Sequence, residues 1–314
     1  MTLRRRQVGG ALLAYLAGQG LVWLVVGFVA VSRAGKAAGS AGLLREVGAL
    51  IPVALPASLV ASAVALVLVL QRWRREVGSV ALTQMLGLSW GTTRQLLRAG
   101  MAGAALAIVV LPLVSALSNT RQPPDVTTQL ALSSRSAWGA WMLSAVLLAP
   151  PIEELMFRGA FLGGLAQSWS LRAAAITSGL TFWLMHSPEF VHWPAAVSIG
   201  LLTVLTTTLR LRTRILGPSV AAHFGYNLMI AMLVSLAMLV HPTSSRWSGL
   251  DQRSRFAPIL ASAASSCGQG EDRQLRRAAK PSRDSGGPDA AGDVERREGV
   301  SVPSLEKPTS ADRF

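Results

Sequence analysis

The stretch Ala137-Trp-Gly-Ala-Trp-Met-Leu-Ser-Ala-Val-Leu-Leu-Ala-Pro-Pro-Ile-Glu153-Glu154-Leu-Met-Phe-Arg158-Gly-Ala-Phe-Leu-Gly-Gly-Leu165 is uncharged at every position but three. At about 1.5 Å of rise per helical residue, it can cross a hydrocarbon core of about 30 Å. The three exceptions are Glu153, Glu154 and Arg158. A charge at mid-membrane costs at least ~2.5–3.5 kcal/mol, so such a side chain faces protein or trapped water and not lipid. On a helix Glu154 and Arg158 share a face one turn apart and can pair. Glu153 is turned roughly 100° from Glu154 and stays free to point elsewhere. The stretch therefore predicts a membrane helix with one neutralised carboxylate and one available carboxylate. Pro150 and Pro151 predict a kink or a helix restart just ahead of Glu153. A helix start favours an ionised carboxylate and burial a neutral one, so the protonation state of Glu153 stays open.

Working outward, the rest of the chain has the same character. Of its 314 residues 51% are apolar and only 15% charged, too few charges to coat a soluble protein of this length. Val8–Ser32, Ala49–Leu70 and Gly100–Ser118 form long apolar runs, and Ala173–His186 (extending to Trp193), Ala195–Leu209 and Pro218–Val240 follow. The expected fold is all-α, a polytopic transmembrane helical bundle of about seven spans in a range of six to eight. Arginines 4–6 precede the first span, Arg72, Arg74, Arg75, Arg94 and Arg98 follow the second, and Arg210, Arg212 and Arg214 follow the sixth. By the positive-inside rule the N-terminus is cytoplasmic; the loop holding Arg33, Lys36 and Arg45 fits least well. The first span is too long for a signal-peptide core and reads as a retained helix.

Between the second and third spans, Val80–Ala99 reads as an amphipathic surface helix or a plain connecting helix. Of the net charge of +14, +12 lies within residues 1–240 and gathers at helix ends, which points to anionic lipid headgroups and away from nucleic acid. The single cysteine, Cys267, leaves no disulfide framework, cysteine zinc site or membrane thiol nucleophile. From Ser244 the chain is polar with few large apolar residues, which predicts a disordered tail. Three regions result: 1–134 with N-terminal spans, 135–243 with the polar intrusions, and 244–314.

Further polar intrusions accompany the carboxylates. His186 closes the fifth apolar run, one turn after Phe182, while His223 and Asn227 share a face in the seventh. Imidazole and carboxamide groups in lipid need partners, and a wet cavity shared by three helices would supply them. His192 and His241 read as interfacial, Ser187 takes no role, and no Gly-x-Ser-x-Gly elbow supports serine hydrolysis.

At these residues the sequence resembles the CPBP family of intramembrane glutamic endopeptidases, the CAAX-protease and bacteriocin-processing or Abi-related family. Glu153-Glu154-Leu-Met-Phe-Arg158 matches its EExxxR motif, Phe182-Trp-Leu-Met-His186 its FxxxH, and His223-Phe-Gly-Tyr-Asn227 its HxxxN. The resemblance implies a membrane endopeptidase in a bacterial plasma membrane, acting on a membrane-associated or prenylated-type peptide or protein. It implies Glu153 as general base on a water positioned with His186, and His223 and Asn227 as donors to the oxyanion. Glu154 would pair with Arg158 and hold the helix in place, with Phe182 of the second motif as a further supporting residue. No cofactor is implied; the alternative is a zinc metalloprotease using the same residues, although no HExxH occurs. The residues are also compatible with a non-catalytic bacteriocin-immunity-type protein, or with a small proton-coupled transporter, although no inverted repeat supports transport.

Overall fold

A computed structural model describes residues 3, 5–35, 39–117, 134–191 and 193–240. His192, His241, Cys267 and the expected tail lie outside them. Every regular element among the described residues is helical. The helices are α1 (Arg5–Ala34), α2 (Gly39–Val77), α3 (Ser79–Leu86), α4 (Thr93–Leu117), α5 (Arg135–Leu165), α6 (Leu171–Met185), α7 (Trp193–Thr213) and α8 (Gly217–Val240). Helices α1, α2, α5, α7 and α8 are long and apolar enough to cross a membrane. The other two expected spans are α4, of 25 residues, and α6, of 15. At about 1.5 Å per residue α6 is shorter than a hydrocarbon core, and it passes into the 3-10 turn Ser187–Val191. Ser170 caps its N-terminus by accepting from the Ala173 N–H.

The segment expected as one helix over Val80–Ala99 is broken. Gly87 adopts a left-handed conformation (φ 66°), and its N–H and that of Leu88 turn back to the carbonyls of Gln84 and Thr83. This is the glycine stop that closes a helix. A few residues on, Thr92 and Gln95 cap α4 reciprocally: the Gln95 N–H donates to Thr92 Oγ1 at 3.2 Å, and the Thr92 N–H to Gln95 Oε1 at 2.9 Å. A stop signal and a start signal thus overrule the amphipathic periodicity.

Small residues bring the helices together. A Cβ on Gly103 of α4 would lie 1.9 Å from the Ala222 carbonyl oxygen, and one on Gly225 of α8 2.1 Å from that of Gly100. Only glycine permits this approach, the usual device where lipid offers no hydrophobic drive between helices. Gly103→Val should lower stability by about 1–3 kcal/mol through overpacking. Thermal melting in detergent checks this, with Gly9→Val in open space as the silent control.

Helix α5 packs against α1, α2 and α8. It neither stops nor restarts at the prolines. Its ladder widens instead into π turns over Leu143–Leu148 and Leu155–Phe161, flanking the ordinary turns of Ala149–Glu154. The Ala149 N–H, for example, bonds the Ser144 carbonyl five residues back. Wider turns absorb the missing proline donors without ending the helix.

Arg210 also departs from expectation. It is buried and not held out toward headgroups. Its Nε donates to the Arg158 carbonyl at 3.1 Å and its Nη2 to the Met85 carbonyl at 2.9 Å, joining α7, α5 and α3.

Candidate active site

Consecutive carboxylates on α5 have opposite surroundings. Glu154 and Arg158 are fully buried and pair one turn apart, Arg158 Nη1 standing 3.3 Å from Glu154 Oε1. Arg158 also donates through Nη2 to the Thr203 carbonyl at 3.4 Å, and its guanidinium lies 4.2 Å from the Phe182 ring centroid. Glu153, its side chain 13% exposed, faces a cavity of about 660 Å³. The division expected from their rotation about the helix is the one observed.

The same cavity is lined by His186, His223, Asn227 and Phe182, so α6 and α8 meet α5 at the cavity that Glu153 faces. His223 on α8 is held between the two carboxylates. Its Nδ1 is 3.0 Å from Glu154 Oε1 and its Nε2 is 3.9 Å from Glu153 Oε2. The second separation exceeds a direct hydrogen bond, but a water set to one side can lie about 2.8 Å from both atoms. His186, at the C-terminal cap of α6, has Nδ1 2.8 Å from the Phe182 carbonyl. A carbonyl only accepts, so Nδ1 carries the hydrogen, and the neutral ring keeps Nε2 as an acceptor. Phe182 is the shared wall: its ring meets His186 at 4.6 Å, His223 at 5.8 Å and Phe157 at 5.2 Å between centroids.

Asn227, expected only as a donor to substrate, is already engaged. Its Nδ2 donates to the Ala145 carbonyl on α5 at 2.6 Å. One of the two hydrogens on that nitrogen is used there, and one is left.

Several cavity residues carried no sequence motif. Tyr15 and Gln19 on α1, Ser144 on α5, Ser198 on α7, Tyr226 on α8 and Glu189 in the 3-10 turn all line it. Gln19 Nε2 donates to Tyr15 Oη at 3.1 Å, and Tyr226 is hydrogen-bonded to Ser198 through their hydroxyls. One signal was present: Tyr15 and Gln19 are polar and four apart within an otherwise apolar span, so they share a face.

As for zinc, no three His, Cys, Asp or Glu side chains gather to hold a metal ion among the described residues. The His223 Nδ1 is engaged with Glu154 and the His186 Nδ1 with a carbonyl, which leaves one Nε2 on each ring. Both face the cavity that also holds the Glu153 carboxylate.

Fold and site together define a polytopic α-helical membrane protein with a carboxylate–imidazole cavity inside its bundle. A sequence model of the family described as Rce1-like, type II CAAX prenyl endopeptidase, matches residues 135–229, from the first residue of α5 to just past Asn227. This match supports the family read from the three motifs and, at that level, a membrane endopeptidase of the CAAX type. No curated protein and no solved structure matches the chain. Helices α1–α4 lie outside the matched segment, yet α1 and α2 supply part of the cavity wall.

Proposed function

We propose that the protein is an intramembrane endopeptidase that hydrolyses a peptide bond of a membrane-associated substrate by glutamate-activated water attack. The observation that carries this reading is the pairing of Glu153 Oε2 with His223 Nε2 across 3.9 Å, in a cavity that also holds His186 and Asn227. A water between these groups can donate one hydrogen to Glu153 and the other to His186 Nε2. Glu153 takes a proton as the water oxygen bonds to the scissile carbonyl carbon, and the carbonyl electron pair moves onto its oxygen. That oxyanion is met by the second N–H of Asn227 and by His223 Nε2–H when the ring carries both protons. Collapse breaks the C–N bond, and the proton on Glu153 passes to the departing amine.

The basic residues near Arg72, Arg94 and Arg212 favour a cytoplasmic N-terminus, which would open the cavity to the cytoplasm of a bacterial cell. Tyr15, Trp23, Trp141 and Tyr226 give much of the cavity an aromatic wall, which suits an apolar or prenylated-type peptide.

Purified protein in liposomes, offered a library of membrane-anchored peptides, tests the reading. Cleavage is expected, unchanged by a chelator and abolished by Glu153→Ala. Chelator-sensitive cleavage would support the zinc mechanism with the same residues. Uptake of solute without cleavage would favour a transporter.

A further inference from the structure

The Ala145 carbonyl on α5 is without the backbone donor of either an α or a π ladder. In an ordinary α-helical ladder its donor would be the Ala149 N–H, which instead bonds the Ser144 carbonyl. In the wider π ladder its donor would be residue 150, which is proline and has no N–H. A carbonyl left bare within a membrane bundle is costly. Asn227 Nδ2 fills the gap from α8 at 2.6 Å. One turn earlier on α8, His223 grips the same helix at Glu154. The two bonds hold α5 on either side of Pro150 and Pro151, and Glu153 lies between the points they hold.

We propose that Asn227 is a positioning residue, whose carboxamide replaces the backbone donor removed by Pro150 and so fixes the turn of α5 that presents Glu153. This role is additional to donation by its second N–H, and only the kinetic part of its test rests on the proposed peptidase reaction. The proline and the asparagine form one device. The proline opens the carbonyl, and the side chain from another helix takes it.

The consequence is a specific rescue. Asn227→Ala bares the carbonyl and should lower the melting midpoint of the purified chain in detergent by about 5 °C. Adding Pro150→Ala returns an N–H at the position from which the π ladder can reach Ala145, and should recover most of that loss. Pro151→Ala places its N–H opposite a different carbonyl and should not. With a cleaved peptide, Asn227→Ala should lower kcat about 1,000-fold with little change in KM, and Pro150→Ala in that background should regain about tenfold. The remainder is the missing oxyanion donor. Recovery of the midpoint without any recovery of kcat, or recovery of neither, overturns the proposal. If the parent chain cleaves nothing, the proposed function falls, and the midpoint cycle alone decides for or against the donor exchange. Where Pro150→Ala does not fold by itself, Asn227→Leu replaces it as the test. It keeps much of the side-chain shape, removes the donor without adding charge, and should lower the midpoint about as far as Asn227→Ala does; an unchanged midpoint counts against the proposal equally.

Discussion

The Glu153→Gln protein is expected to fold and melt as the parent does while losing about 1,000- to 10,000-fold in kcat, the contribution of a well-placed general base. Glutamine keeps the size of the side chain and its capacity to hydrogen-bond, but it cannot take a proton from water. Little stability should be lost, because Glu153 stands at the cavity wall and outside the sealed ion pair, with His223 Nε2 3.9 Å away. Cleavage of a fluorogenic membrane peptide and circular-dichroism melting, measured on the same preparation, check both halves. A variant retaining activity within about tenfold of the parent would remove Glu153 from the mechanism.

Its neighbour should behave in the opposite way. Replacing Arg158 by Met leaves the Glu154 carboxylate buried without its cation, and breaking such a pair on one side costs about 3–5 kcal/mol. Since a folded domain is stable by only about 5–15 kcal/mol, much of the protein should fail to fold. Arg158 is lost in addition from the Thr203 carbonyl and from the face of Phe182, whose ring borders both histidines. Glu154→Gln together with Arg158→Met removes both charges and should recover most of the folded yield, although His223 would then face a neutral amide. Folded fraction by size exclusion and denaturant titration separates the two cases. If Arg158→Met alone leaves the yield unaltered, the pair is not what holds α5 in the bundle. The two adjacent glutamates thus have separable signatures: one lost in rate, the other in stability.

Both signatures are legible in the sequence, because they depend on one helix. Membrane helices follow from hydropathy, a property of each segment by itself. The Glu154–Arg158 pair and the divergence of Glu153 follow from the pitch of a helix, which needs only the residues on it. His186, His223 and Asn227 stand out because polar groups in lipid demand an explanation wherever they occur. The capping signals at Gly87 and Thr92–Gln95 are equally local, but they compete with the amphipathic periodicity of Val80–Ala99, which alone predicts one helix where two stand.

What tertiary structure alone decided has a common physical cause: each case is a contest settled between distant parts of the chain. The prolines could have ended α5, but the Asn227 carboxamide, 82 positions beyond Ala145, donates to the carbonyl exposed there, and the helix runs on through widened turns. Arg210 could have reached headgroups, but carbonyls on α5 and α3 hold it inside. Tyr15 and Gln19 carry no motif, and only the packing of α1 and α2 against α5 brings them to the cavity that Glu153 faces. Periodicity and motif spacing read the chain one helix at a time. The partner that completes a hydrogen bond between helices is chosen by the fold.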